Sequence, residues 1–154
     1  MNQSTSERIA ELGIQLPEAP TPVAAYIPAI TYGDLIQTSG QIPTRDGTPI
    51  ATGIVPEQVT TDRAAECARQ CALNALAAAA KVAGGIDNIA RPLKVTCFVA
   101  ASPGYTDHPK VANGASHLLE EIFGEAGKHA RAAVGAPSLP LGVPVEVEIL
   151  FQRR

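Results

Sequence analysis

The stretch TTDRAAECARQCALNALAAAAKVAGG, running from Thr60 to Gly85, limits the possible folds more than any other part of the chain. A threonine ahead of a long run without Pro or Gly marks a helix start, because its hydroxyl accepts from the orphan amides of the first turn. Paired glycines mark a stop, since glycine alone takes the left-handed backbone that closes a helix cheaply. The spacing predicts a helix capped by Thr60 or Thr61 and ending near Ala83. Ala65, Ala68, Ala72, Leu76 and Ala79 share one face, while Arg63, Glu66, Gln70, Asn74 and Lys81 share the other. An apolar face built of alanine is shallow, so the helix can lie close against a sheet. Cys67 and Cys71 make a C-x-x-x-C pair with no matching second pair, and read as small residues on the helix flank rather than metal ligands.

The rest of the chain supplies that sheet. Ser4 and Glu7 have capping-box spacing ahead of Ile9, Ala10 and Leu12, which predicts a short helix closed by Gly13. LPEAPTPVA reads as an extended arm stiffened by proline. Strands are predicted over Ala24 to Thr31 and Leu35 to Gln41, around a short loop at Tyr32-Gly33-Asp34. A turn at Arg45-Asp46-Gly47 leads to a short strand within Ile50 to Val55. In Leu93 to Ala100, Val95, Cys97 and Val99 face one way, and Thr96 and Phe98 the other. Asp107 or His108 caps a second long helix, with Pro109 in its first turn, Val111, Ala115, Leu118 and Ile122 at helical spacing and Gly124 as its stop. Two strands remain, Ala130 to Gly135 and Pro144 to Phe151; in the last, Val145, Val147, Ile149 and Phe151 alternate with Glu146, Glu148 and Leu150. The expected class is α+β, a two-layer sandwich of a mixed sheet with two helices on one face. The uncovered face calls for a partner subunit. The expected organisation is one domain over residues 1–154, with a helical N-terminal extension over about 1–19.

Composition narrows the function. A chain of 154 residues supports one core, and with 4% aromatics and no Trp that core is aliphatic. A deep aromatic-lined pocket inside one subunit is then disfavoured, and a ligand site is expected at an interface. The net charge of −3, with Lys and Arg scattered, excludes a nucleic-acid footprint. No run of 18 apolar residues exists, and the charged opening MNQSTSERIAEL is unlike a signal peptide, so neither membrane nor export is expected. Three cysteines make no disulfide framework, which places the chain in the cytoplasm. His108, His117 and His129 are isolated from one another, Gly84-Gly85 lacks the lysine of a phosphate loop, and no G-x-S-x-G elbow occurs. No metal and no cofactor are expected.

Four segments carry a resemblance. VAAYIPAI with Tyr26, LIQTSGQIP, HPKVANGASHLLEEIF and HARAAVGAPSLPLGVPVEVEIL are similar, in order and spacing, to the reactive-intermediate deaminase family (Rid, formerly YjgF), over roughly residues 20 to 151. The resemblance implies a chorismate-mutase-like fold, a homotrimer with a site at each subunit boundary, and no cofactor. It also implies hydrolysis of small 2-imino acids to 2-keto acids plus ammonia. Arg131 matches the family's carboxylate-binding arginine and Glu146 the glutamate beside the attacking water. Tyr26, Gly40, Asn113 and the backbone of Ala133 match substrate contacts. The chain departs from the best-known members at Ile27, where a serine is usual, and at Ala132 and Ala133, which replace Ser and Cys. A non-catalytic module that binds 2-keto acids in the same cleft is the alternative, and a ribonuclease or translation-inhibiting role the third reading.

Overall fold

The computed structural model describes residues 3–22 and 25–154. Helix α1 (Thr5–Glu11) opens on a complete capping box: Ser4 Oγ accepts from the Glu7 amide, and the Glu7 carboxylate accepts from the Ser4 amide. Strands β1 (Ala29–Tyr32) and β2 (Leu35–Thr38) pair antiparallel, with Tyr32 opposite Leu35. The turn is therefore two residues, Gly33-Asp34, rather than three. The strand predicted from Ala24 begins only at Ala29, because Pro28 has no amide to give a ladder; Ala24 itself lies outside the described residues. Beyond Thr38 the chain slips register, and Gln41 meets Val147 as an isolated bridge instead of extending β2.

Strands β3 (Thr44–Arg45) and β4 (Thr48–Pro49) form a miniature hairpin around Asp46 and Gly47, whose φ of 51° and 79° make the turn that matches strand twist. The strand expected over Ile50 to Val55 does not form. Pro49 ends the ladder, and only Val55 bridges, to Ala101.

Helix α2 (Thr61–Ala83) starts where Thr60 Oγ1 accepts from the Arg63 amide and stops at left-handed Gly84. Then come β5 (Ile89–Ala100), α3 (His108–Phe123), β6 (Ala130–Ala136) and β7 (Val145–Arg153). Asp107 occupies the α3 cap position, but its side chain bonds no amide there and pairs with Lys110 instead. β5 starts earlier than Leu93 because its first residues pair with the end of β7, Ile89 opposite Arg153, across a register shift near Pro92. The sheet order is β1-β2-β7-β5-β6, antiparallel except for parallel β5 and β6. The mixed two-layer α+β architecture follows the alternation read from the sequence.

Helices α2 and α3 cover one face, burying Ile36, Val95, Cys97, Val99, Val145, Val147, Ile149 and Phe151. On the other face Ile30 and Tyr32 stand 53% and 57% exposed, and Phe98, Glu146, Glu148 and Leu150 are half-buried. Among the described residues no helix is long and apolar enough to cross a membrane.

The second face of α2 meets water only in part, at Arg63, Glu66 and Lys81. Gln70 and Asn74 are buried, because the β3–β4 hairpin lies over them. Asn74 Nδ2 donates to the carbonyls of Ile42 (3.0 Å) and Thr44 (3.1 Å), and Gln70 bridges Arg45 to Asn74. Polar side chains are right there because the hairpin presents backbone carbonyls, one of them the Ile42 oxygen that also accepts from the Thr44 amide, to the buried helix face. Cys67 and Cys71 are fully buried, not flank residues, and Cys97 joins them. Burial pushes their thiols up, to about 11 for Cys67 and about 12 for Cys97, leaving no thiolate at neutral pH. Helices α2 and α3 meet at Gly114, where a Cβ would come within 2.7 Å of the Ala65 carbonyl carbon.

Candidate functional site

Two groups of predicted site residues form, on opposite faces of the sheet. The first lies along β6. Register with β5 sets Arg131 beside Val95 and Ala133 beside Cys97, so both belong to the helix-covered face. Arg131 reaches across to α3, where its Nη1 donates to Asn113 Oδ1 at 2.8 Å and Ser116 Oγ at 3.1 Å. Asn113 thus leaves the solvent face occupied by His117 and Glu120 and turns inward. Ser116 Oγ lies 2.9 Å from His129 Nε2, and His129 Nδ1 lies 2.6 Å from the Gly127 carbonyl oxygen. Among the described residues no carboxylate pairs with Arg131, and its Nη2 and Nε make no hydrogen bond. A guanidinium anchored at one corner with its other edge open is arranged for a bidentate carboxylate.

The second group lies on the uncovered face. Glu146 stands on β7 opposite Phe98. Burial raises its carboxyl above the ordinary glutamate value, and the neighbouring Glu148 charge raises it further. Gly40 packs directly on it: a Cβ at Gly40 would come within 2.9 Å of Glu146 Cδ. The carboxyl group fills the space that a side chain at position 40 would take. Gly40→Ala is therefore expected to swing the carboxylate away, lowering severalfold any activity that depends on Glu146, at little stability cost, since only the far end of a flexible side chain must move. Paired activity and urea-midpoint measurements check this.

Tyr26 joins neither group by a hydrogen bond among the described residues. It sits in a bend ahead of β1, 54% exposed, beside Ile27 at 50%. The extended strand in which it was expected is cut short by Pro28. Ser116 and His129 belong to the Arg131 group yet carry no motif that singles them out. Their only sequence signal is spacing: His129 two residues before Arg131 on an extended chain, Ser116 three after Asn113 on a helix.

Arg131 and Glu146 cannot touch one small ligand within a single chain, because the sheet separates them.

Comparison with known proteins agrees with the architecture. A family model described as "YjgF/chorismate mutase-like, putative endoribonuclease" matches residues 6–152. Protein TCP17 of Trypanosoma cruzi is 38% identical over 157 residues, spanning 99% of this chain and 98% of its own. RutC family protein y4sK of Sinorhizobium fredii is 32% identical over 134 residues, spanning 87% and 91%. The crystal structure of protein Atu1372 from Agrobacterium tumefaciens, of unknown function, superposes with a TM-score of 0.86 at 37% identity and covers 97% of this chain and 92% of that one.

Proposed function

The chain belongs to the YjgF/chorismate-mutase-like family and has its α+β fold, and from that premise we propose that it is an enamine/imine deaminase. It hydrolyses small 2-imino acids to 2-keto acids and ammonia, in clefts between the subunits of a homotrimer. What supports the reading is the division of the site: an open guanidinium edge on one face, a carboxyl of raised pKa on the other, and no way for the two to meet inside one chain. A second copy that brings its uncovered face to the first one's β6 edge completes the pair. The apolar residues exposed on that face, Ile30 and Tyr32 among them, suit such an interface.

In this reading the substrate carboxylate takes the free edge of Arg131. The partner subunit's Glu146 accepts a proton from water as the water oxygen bonds to the imine carbon, and the C=N π electrons move to nitrogen. The proton returns to nitrogen, giving a carbinolamine; the same carboxylate then takes the hydroxyl proton and passes it to nitrogen, so that the C–N bond breaks, ammonia leaves and the ketone forms. Imines hydrolyse readily unaided, so the 10²–10⁴-fold typical of a positioned base is enough. No cofactor enters. Three unpaired, buried thiols accord with the reducing cytoplasm.

The decisive experiment generates 2-iminopropionate or 2-iminobutyrate in place and follows keto-acid release, alongside sedimentation to count subunits. Release at the uncatalysed rate overturns the deaminase. Binding of the keto acid without turnover would leave a carboxylate-binding module, for which the Arg131 group alone suffices. The endoribonuclease in the family description has little support in a chain of net charge −3; steeply salt-dependent RNA binding would restore it.

The raised Glu146 carboxyl sets a pH prediction. As pH falls, Glu146 takes its proton at a higher pH than an ordinary glutamate, so the acid limb of kcat/KM lies at higher pH than an unperturbed glutamate would give. Glu148→Gln removes the like charge and shifts that limb to lower pH, while the burial contribution remains. The sign for stability is opposite to that of a salt-bridged acid. The folded chain holds this proton more tightly than the unfolded one, so Glu146 favours folding increasingly as pH drops through its folded value. A pH–rate profile of both proteins checks the shift.

A further inference from the structure

We propose, resting on the carboxylate-binding role given to Arg131 above, that Ser116 and His129 are positioning residues: a tautomer-locked imidazole and a serine hydroxyl that set the direction of the guanidinium. With the imidazole neutral, the hydrogen bonds run in one direction. A carbonyl oxygen can only accept, so His129 Nδ1, 2.6 Å from the Gly127 oxygen, carries the ring hydrogen. Nε2 of the neutral ring then bears a lone pair, and the Ser116 hydroxyl, 2.9 Å away, donates to it. With its hydrogen committed, Ser116 Oγ offers lone pairs to Arg131 Nη1 at 3.1 Å. Asn113 Oδ1 takes the other Nη1 hydrogen at 2.8 Å. Both hydrogens of one guanidinium nitrogen are thus used, the plane of the group is fixed, and the Nη2–Nε edge is turned outward.

The backbone holds this chain of bonds in register. Gly127 is buried against the end of α3, where a Cβ would come within 2.8 Å of Glu120 Cα. The carbonyl that orients His129 is therefore tied to the same helix that carries Asn113 and Ser116. Arginine has about 2 kcal/mol of rotamer freedom to lose on gripping a ligand. Losing part of it in the empty site leaves less to lose on binding, which is preorganisation. The Ser116 hydroxyl, already donating to His129, is unavailable to the ligand, so at this corner the carboxylate is read by Arg131 alone.

The test titrates 2-oxobutyrate, a stable carboxylate that cannot turn over, into the full chain and into Ser116→Ala, Ser116→Thr, His129→Ala and the double variant Ser116→Ala/His129→Ala. Urea midpoints are measured for each. Ser116→Ala and His129→Ala should each weaken binding about tenfold, the size expected for one hydrogen bond to a charged group. The double variant should be no weaker than either single one, because both break the same chain. Ser116→Thr, which keeps the hydroxyl, should retain affinity. Nitrogen NMR of the wild-type chain should show His129 protonated at Nδ1 and bare at Nε2. Unchanged affinity in the alanine variants, additive losses, or the opposite tautomer would each overturn the proposal. So would covalent capture of Ser116 by a fluorophosphonate, which would make it an activated nucleophile rather than a support. A wild-type chain with no affinity for the acid overturns the role of Arg131 instead; the two failures are distinguishable because the His129 spectrum reports the hydrogen-bond chain with no ligand present.

Discussion

Replacing Arg131 by alanine is expected to lower kcat/KM for 2-iminopropionate a hundredfold or more, with the fold intact. Two charge-assisted hydrogen bonds to the substrate carboxylate are lost, worth together about 3 kcal/mol or more when shielded from water. Because they are made in the ground state and carried into the transition state, much of the loss should fall on KM. Arg131→Lys should recover little, since a single ammonium cannot present two parallel N–H groups to a carboxylate. The side chain is exposed, so the urea midpoint should move little. Initial rates over a range of substrate concentrations, with denaturation curves beside them, check the result. A variant as active as wild type would remove the carboxylate anchor on which the deaminase reading depends.

Gly114→Ala should be the most damaging single methyl addition to the fold. Glycine in a helix usually costs about 1 kcal/mol relative to alanine, so the same change on a free helix surface would stabilise. At Gly114 the new Cβ would meet the backbone of Ala65, 2.7 Å from its carbonyl carbon and 3.1 Å from its Cα. Nothing there can rotate away. Helices α2 and α3 must move apart, opening voids along a contact that holds Cys67, Ala68 and Ala115 at zero exposure. Overpacking of this kind costs about 3 kcal/mol. The check is a lower urea midpoint at unchanged m-value. Ala65→Gly should not rescue it, because the obstruction is main chain and not the alanine methyl.

Much of this was written in the residues. The Ser4 and Thr60 caps, the stop at Gly84 and the alternation of Val145 to Phe151 all act through hydrogen bonds and periodicities local to a few residues, and the elements form where those signals stand. Tyr26 shows where local reasoning fails: a strand-like run of apolar residues stayed irregular because a single proline, Pro28, withheld the amide that pairing requires. Gln70 and Asn74 show the converse. Their helical phase is polar, and only the distant hairpin from Ile42 to Pro49, folding over them, turned an apparent solvent face into buried hydrogen bonds.

By itself the sequence determined the two-layer class, its helices and most of its strands, the aliphatic core and the residues matching a familiar site, because each depends on side-chain type at fixed local spacing. Only the tertiary structure decided that Arg131 and Glu146 occupy opposite faces, that Ser116 and His129 stand behind the guanidinium, and that Gly40 makes room for a carboxylate. Those relations join segments far apart along the chain through strand register and helix docking, which no local period encodes.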